Sequence, residues 1–277
     1  MEDNIVLSIG KIKSKAKAAL KGNWGTAIIA FIIFNIIMHG ITYVFNANEL
    51  INSISNLHSF NKENINFGAS CIPLIINLIL AGPMTYGITK FFINLVRNKE
   101  HKIEIMFEGF KHFTGTFIVN IVLSIFSFLW SLLFVIPYII IVFIIIIKQL
   151  STISIGSYNG SSDLNGYMVA ILIVLTIVLT IAILMILFRY SMTYYIYIDD
   201  PDMGAMKAIK ESTIMMKGNK TRFLLLHLSF ILWYILGVLT IGIAFLWIIP
   251  YIKSCEAVFY YDLKTNKQDA IEEVNKL

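Results

Sequence analysis

From Ile139 to Ile147 the chain reads Ile-Ile-Ile-Val-Phe-Ile-Ile-Ile-Ile, nine apolar residues with no polar interruption. A surface helix needs polar residues on its outer face and a half-buried strand needs alternation, so this run has no place in a water-facing element. It sits within one of six apolar stretches: Gly25 to Val44, Ala69 to Leu95, Phe113 to Leu150, Tyr167 to Ile198, Thr221 to Leu239 and Gly242 to Tyr261. Each is long enough to cross a hydrocarbon layer of about 30 Å at about 1.5 Å of rise per residue. The expected fold is therefore all-α, a polytopic transmembrane bundle of six helices forming one integral membrane domain over residues 1–277. Charge supports this, since 14% charged residues is well below the share of about 25% usual for a soluble domain. Mean hydropathy is +0.77.

The first stretch follows a Lys-rich segment, as a signal peptide does. It is too long for a signal core, and Phe45-Asn46-Ala47-Asn48 is not a small-residue cleavage site, so it reads as an uncleaved first span. The third stretch is longer than a bilayer requires. Pro137 lies inside it and is expected to kink the helix, because proline removes a backbone donor and crowds the preceding turn.

Orientation follows from the basic residues. Nineteen of the 22 Lys and Arg residues fall in segments assigned to one side of the membrane, leaving Lys62, Lys148 and Arg189 for the other side and the interior. That bias places both termini in the cytoplasm of a bacterial cell membrane. The net charge of +5 then reads as a topology signal and an attraction to the anionic inner leaflet; no nucleic-acid partner is expected. Cys71 and Cys255 form no CxxC pair and read as packing residues.

Before each odd span lies a short segment with a glycine near its end. These are Ala18-Ala19-Leu20-Lys21-Gly22-Asn23-Trp24, Ile105-Met106-Phe107-Glu108-Gly109-Phe110-Lys111, and Thr213-Ile214-Met215-Met216-Lys217-Gly218-Asn219-Lys220. Each is expected to be a cytoplasmic amphipathic helix terminated by Gly22, Gly109 or Gly218 in a left-handed conformation. Ile5, Ile9, Ile12, Ala16 and Ala19 have helical spacing, as do Met203, Met206, Ile209, Thr213 and Met216; Asp200, Pro201 and Asp202 form a helix-start signal. The chain is thus expected to contain three pseudo-repeated hairpins, over residues 1–98, 99–200 and 201–277. Leu-Trp followed by Ile-Pro-Tyr occurs twice, at Leu129 to Tyr138 and Leu246 to Tyr251.

Several of these segments also carry a resemblance. KAKAALKGNWGTAIIA (Lys15 to Ala30), LWSLLFVIP (Leu129 to Pro137), YSMTYYIYIDDP (Tyr190 to Pro201) and the stretch from Glu211 to Tyr261 resemble a bacterial, mainly Firmicutes, integral-membrane family, domain-of-unknown-function family 975. The last is the most specific, with ESTIMMKGNK, LHLSFILW, LTIGIAFLWIIPYI and FYYDL in order. The resemblance implies architecture and no particular chemistry. The chain departs from the family pattern in the middle: Tyr138 replaces the glycine of Ile-Pro-Gly-Ile, and a long stretch to Arg189 intervenes. A weaker similarity, to membrane domains attached to some glycerophosphodiester phosphodiesterases, points toward lipid handling.

Ionisable groups inside a membrane are functional candidates. Arg189, Glu256 and Lys253 lie near the inner ends of spans four and six, where an Arg189–Glu256 pair would satisfy both charges. Lys253 and Glu256 are also placed to reach the interface on their own. Asn120, Ser124, Ser127 and Ser131 share one face of span three, suited to close helix packing or to a hydrophilic path. No HExxH, GxSxG or Walker loop is present; Gly156 to Gly160 has its serine in the wrong place for a nucleophile elbow. The five histidines show no metal-ligand spacing. No enzyme activity, cofactor or metal is expected. The reading that fits best is a membrane protein binding or organising lipid, peptide or partner proteins; a small transporter using Asn120, Ser124, Arg189 and Glu256, and immunity against a membrane-active peptide, are the alternatives.

Overall fold

A computed structural model describes residues 6–56, 67–154 and 162–275. The described residues are almost all helical and contain no strand. Residue Ile5 and the Gly156 to Gly160 segment lie outside them.

Helix α1 (Ile9–Leu20) starts at Ser8, whose hydroxyl accepts the Lys11 amide at 3.4 Å. It buries Ile12, Ala16 and Leu20 along one stripe and leaves Lys11, Lys15 and Lys17 exposed on the other. The chain then turns by 94° into α2 (Trp24–Asn56). Helix α3 (Phe67–Val96) returns, a 3-10 segment follows at Ile103–Phe110, and α4 (Phe113–Ser154) leaves again. Pro137 lies inside α4, which stays helical on both sides of it. Helix α5 (Ser162–Leu187) passes through a 3-10 turn at Phe188–Tyr190 into α6 (Thr193–Asp199).

After a 3-10 turn at Pro201–Met203, α7 (Ala205–Met215) begins. The start signal at Asp200 to Asp202 therefore belongs to that turn. Gly204, at φ 79°, separates it from the helix, so the buried face of α7 is Ala205, Ala208, Ile209 and Ser212, while Met206 points outward. Helices α8 (Lys220–Leu228) and α9 (Ile231–Leu239) form an interrupted outward limb. Helix α10 (Phe245–Asn275) completes the chain.

Among the described residues four segments are long and apolar enough to cross a membrane: Ile72–Val96, Phe113–Phe143, Ala170–Asp199 and Lys220–Leu239. A fifth is added if α1 and the first part of α2 count as one bent span. Helix α10 falls short because Lys253, Glu256, Asp262 and Lys264 interrupt its apolar surface.

The core gathers at one end of the bundle, where α2, α4 and α8 start and α3 and α6 end. Tyr86, Phe91, Phe92, Met106, Met192, Met216, Phe230 and Phe259 are all fully buried there. Beyond it, most apolar side chains of α4 and α5, such as Phe128, Leu133, Ile173 and Val178, are exposed. In water that distribution would be strongly unfavourable, at about 25 cal/mol per Å² of apolar surface; in lipid it carries no such penalty.

Two turns at the packed end share one geometry. In Lys21-Gly22-Asn23 and Lys217-Gly218-Asn219 the glycine has φ 84°. The asparagine side chain donates back to Ala19 O at 3.2 Å in the first and Met215 O at 3.1 Å in the second. Buried residues on either side also match in order, with Ile12, Ala16, Leu20, Ala27 and Ala30 in one and Ala208, Ser212, Met216, Phe223 and Leu226 in the other.

Gly109 differs and corrects the expectation of a third helix-terminating glycine. It lies inside the 3-10 segment, which ends with Lys111 in right-handed conformation. A Cβ on Gly109 would overlap the backbone of Pro83, and one on Gly87 would overlap the backbone of Met106. Its requirement is close approach between α3 and the 3-10 segment, not a positive φ.

Candidate functional site

Helix α10 places Glu256, Tyr260 and Lys264 four residues apart, on one stripe, and α6 offers Tyr195 and Asp199 with the same spacing. The two stripes meet in register. The Tyr195 hydroxyl donates to Glu256 Oε2 at 3.1 Å, Tyr260 donates to Asp199 Oδ2 at 2.7 Å, and Lys264 Nζ donates to the same oxygen at 2.5 Å. Tyr195 and Tyr260 fill the space between, with ring centroids 5.3 Å apart.

Asp199 is also held from α3. Arg97 donates to it through Nη1 at 2.8 Å and Nη2 at 3.0 Å, a fork that fits a carboxylate plane. These hydrogen bonds outweigh burial and raise the Arg97 pKa above its ordinary value. The guanidinium also stacks over Tyr261, 5.5 Å from the ring centroid. One carboxylate thus faces two cations and joins α3, α6 and α10.

A second carboxylate, Asp262, fastens the N-terminal segment. It accepts the Leu7 amide at 3.2 Å and an Arg222 nitrogen at 2.5 Å, while Arg222 also donates to the Leu7 carbonyl. Further along α1, Lys13 Nζ donates to Ser229 O at 2.9 Å, supplying a partner where α8 ends, and lies 4.1 Å from the Phe230 ring centroid. Tyr251 donates to Lys13 O at 3.2 Å. At the other end of α1, His101 Nε2 lies 3.1 Å from Asn23 Oδ1.

Glu256, only 8% exposed, is buried like Asp262, whereas Asp199 is half-buried. Lys253 Nζ donates to its Oε2 at 2.8 Å, one turn back on the same helix, and His227 Nε2 lies 3.7 Å from its Oε1. That histidine stacks on Phe188 and meets Phe223 edge-on. Arg189 takes no part: among the described residues Glu256 pairs with Lys253 and His227, so the expected Arg189–Glu256 pair does not form. The reason is backbone placement. Arg189 sits in the 3-10 turn, its carbonyl accepting from Ser212 Oγ at 2.9 Å, on the α8 side of the bundle.

The polar face of span three disperses. Asn120 donates to Leu78 O on α3 at 3.3 Å, and Ser131 donates within its own helix to Phe128 O at 2.8 Å. Ser124 is exposed on α4 and Ser127 is half-buried. No group of three or more His, Cys, Asp or Glu that could hold a metal occurs among the described residues. Cys255 is a free, buried thiol.

Sequence reasoning reached Glu256 and Lys253 but missed Arg97, Tyr195, Asp199, Tyr260, Asp262, Arg222 and His227. The four-residue spacing of Glu256, Tyr260 and Lys264, matched by Tyr195 and Asp199, was the available signal.

No curated protein and no solved structure matches this chain. A family model described as a protein of unknown function, DUF975, matches residues 8–267, nearly the full length, and the chain belongs to that family.

Proposed function

We propose that the protein is a non-enzymatic, multi-pass component of a bacterial cell membrane that binds or organises anionic lipid at its cytoplasmic face. It crosses six times as three hairpins, each introduced by an interfacial segment (α1, Ile103–Phe110, α7), with both termini inside. The matching turns at Gly22 and Gly218 support the repeat. Packing supports it too: each interfacial segment rests on a helix that returns to the packed end, the 3-10 segment on α3, α7 on α6 and α1 on α10, so the first unit closes on the last.

The observation that carries the lipid reading is the outer face of α1 and α7. Lys11, Lys15 and Lys17 on α1 and Lys207 and Lys210 on α7 are exposed and have no carboxylate partner among the described residues. On α7 they stand beside exposed Met206 and Ile214. Lysine with apolar neighbours on one helix face suits an anionic interface, at about 1 kcal/mol per basic residue near the surface.

The test is quantitative lipid analysis of protein purified in mild detergent. Wild type should be enriched several-fold in anionic over zwitterionic phospholipid relative to the source membrane. Replacing these five lysines with glutamine should remove most of that enrichment. Equal enrichment in both proteins, or none in wild type, overturns the reading.

A further inference from the structure

Arg189 and Lys220 are left over from the ion-pair network described above, and they sit on neighbouring elements. Phe188, next to Arg189, packs edge-on against Phe223, one turn beyond Lys220, at 4.9 Å between centroids. The turn that carries Arg189 touches α8, which Lys220 begins. Both side chains are half-buried, and neither has a carboxylate within ion-pair distance among the described residues. Two cations on touching elements repel, and an anion between them relieves that repulsion. The positions are fixed from the backbone: Ser212 Oγ donates to the Arg189 carbonyl, and the left-handed Gly218 turn sets the start of α8.

What lies below the charges identifies the anion. From α5 into the 3-10 turn that follows it, Ile181, Met185 and Arg189 come four residues apart and end in the guanidinium. On α8 the stripe Lys220, Leu224, Leu228 runs the opposite way and begins with the ammonium. Ile181 and Leu228 are exposed, Met185 and Leu224 half-buried, and α5 packs against α8. The two antiparallel helices therefore present a doubly cationic head over an apolar seam.

We infer that Arg189 and Lys220 form a clamp for the phosphate of one anionic phospholipid, whose acyl chains lie along the α5–α8 seam. This rests on the lipid reading above and gives it a discrete site, distinct from the lysine faces of α1 and α7. Arg189 supplies a planar fork for two phosphate oxygens and Lys220 a point charge. A free phosphate ion would satisfy the cations but leave the seam unused.

Native mass spectrometry of the full-length, delipidated protein with added phosphatidylglycerol, phosphatidylcholine or inorganic phosphate tests the site. Wild type should retain one phosphatidylglycerol at least tenfold more tightly than phosphatidylcholine, and inorganic phosphate should not displace it. Arg189→Gln should weaken retention at least tenfold, whereas Arg189→Lys should keep part of it. Lys220→Glu is the decisive variant: it gives Arg189 a partner, so retention should be lost while the thermal midpoint stays level or rises. The five-lysine variant of α1 and α7 should keep this single lipid even as it loses bulk anionic enrichment, which separates failure of the clamp from failure of the wider reading. Undiminished phosphatidylglycerol retention in Lys220→Glu and Arg189→Gln overturns the inference, as does retention of inorganic phosphate in preference to the lipid.

Discussion

Arg97 and Asp199, 102 residues apart in sequence, meet through two hydrogen bonds of 2.8 and 3.0 Å just past the end of α3 and at the last residue of α6. Because Tyr260 and Lys264 of α10 reach the same carboxylate, the contact is a three-helix joint. The charges are mostly shielded from solvent, so their worth lies in mutual satisfaction; removing one member leaves the others unpaired.

Asp199→Ala should therefore destabilise the protein by about 3 kcal/mol, the loss typical when one partner of a buried pair is removed. Arg97→Lys keeps the charge but loses the fork, with an expected loss of about 1.5 kcal/mol, near the value of one charged hydrogen bond. Thermal unfolding in a single detergent should show this order, with Asp199→Ala the lower of the two.

Glu256 and Arg189 should behave independently. Glu256→Gln removes the charge facing Lys253 and His227 and should cost about 2 kcal/mol. Arg189→Gln should leave stability level or slightly higher. In a double-mutant cycle their coupling should lie within about 0.5 kcal/mol of zero, as for separated sites. A coupling well above that would restore the pair that the sequence suggested.

The three glycines should separate into two classes. Gly22→Ala and Gly218→Ala each place a Cβ at φ 84° in open space, an expected cost of about 1–2 kcal/mol apiece, additive in the double variant. Gly109→Ala instead drives a Cβ into the Pro83 backbone. That should cost about 3 kcal/mol, the upper range for overpacking, because a backbone cannot rotate aside. Thermal midpoints of the four variants measured together check the ranking.

Cys255 is fully buried between α10 and its neighbours. Maleimide labelling of this thiol in the folded, detergent-solubilised protein should be slow and should accelerate only across the unfolding transition. Rapid labelling at low temperature would show that the packed end opens readily.

The helical class, four of the six apolar runs and the family were readable from residues alone, because each depends on local composition and motif order. Helix α1 was also legible, from Ile12 and Ala16 at helical spacing and the glycine beyond. Local reading failed where tertiary contact decides. Gly109 resembles Gly22 in its surroundings, yet only the approach of Pro83 explains it. Asp200 to Asp202 read as a helix start until Gly204 interposed a turn. The Leu-Trp and Ile-Pro-Tyr matches were similar in letters, but Pro137 lies on the outgoing α4 and Pro250 on the returning α10. Acidic partners were hardest to foresee: Asp199 and Asp262 sit beside tyrosines and lysines that look like ordinary interfacial anchors, and which basic residue reaches them depends on how distant helices pack.

The account turns on the packed, charged end of the bundle facing the cytoplasm. Single cysteines replacing the exposed Lys15 of α1 and Lys207 of α7, in a background lacking Cys71 and Cys255, test this with a membrane-impermeant thiol reagent on intact cells. Both positions should remain unlabelled until the membrane is permeabilised and then react fully. Labelling of either position in intact cells would contradict the orientation and, with it, the proposed grip on the inner leaflet.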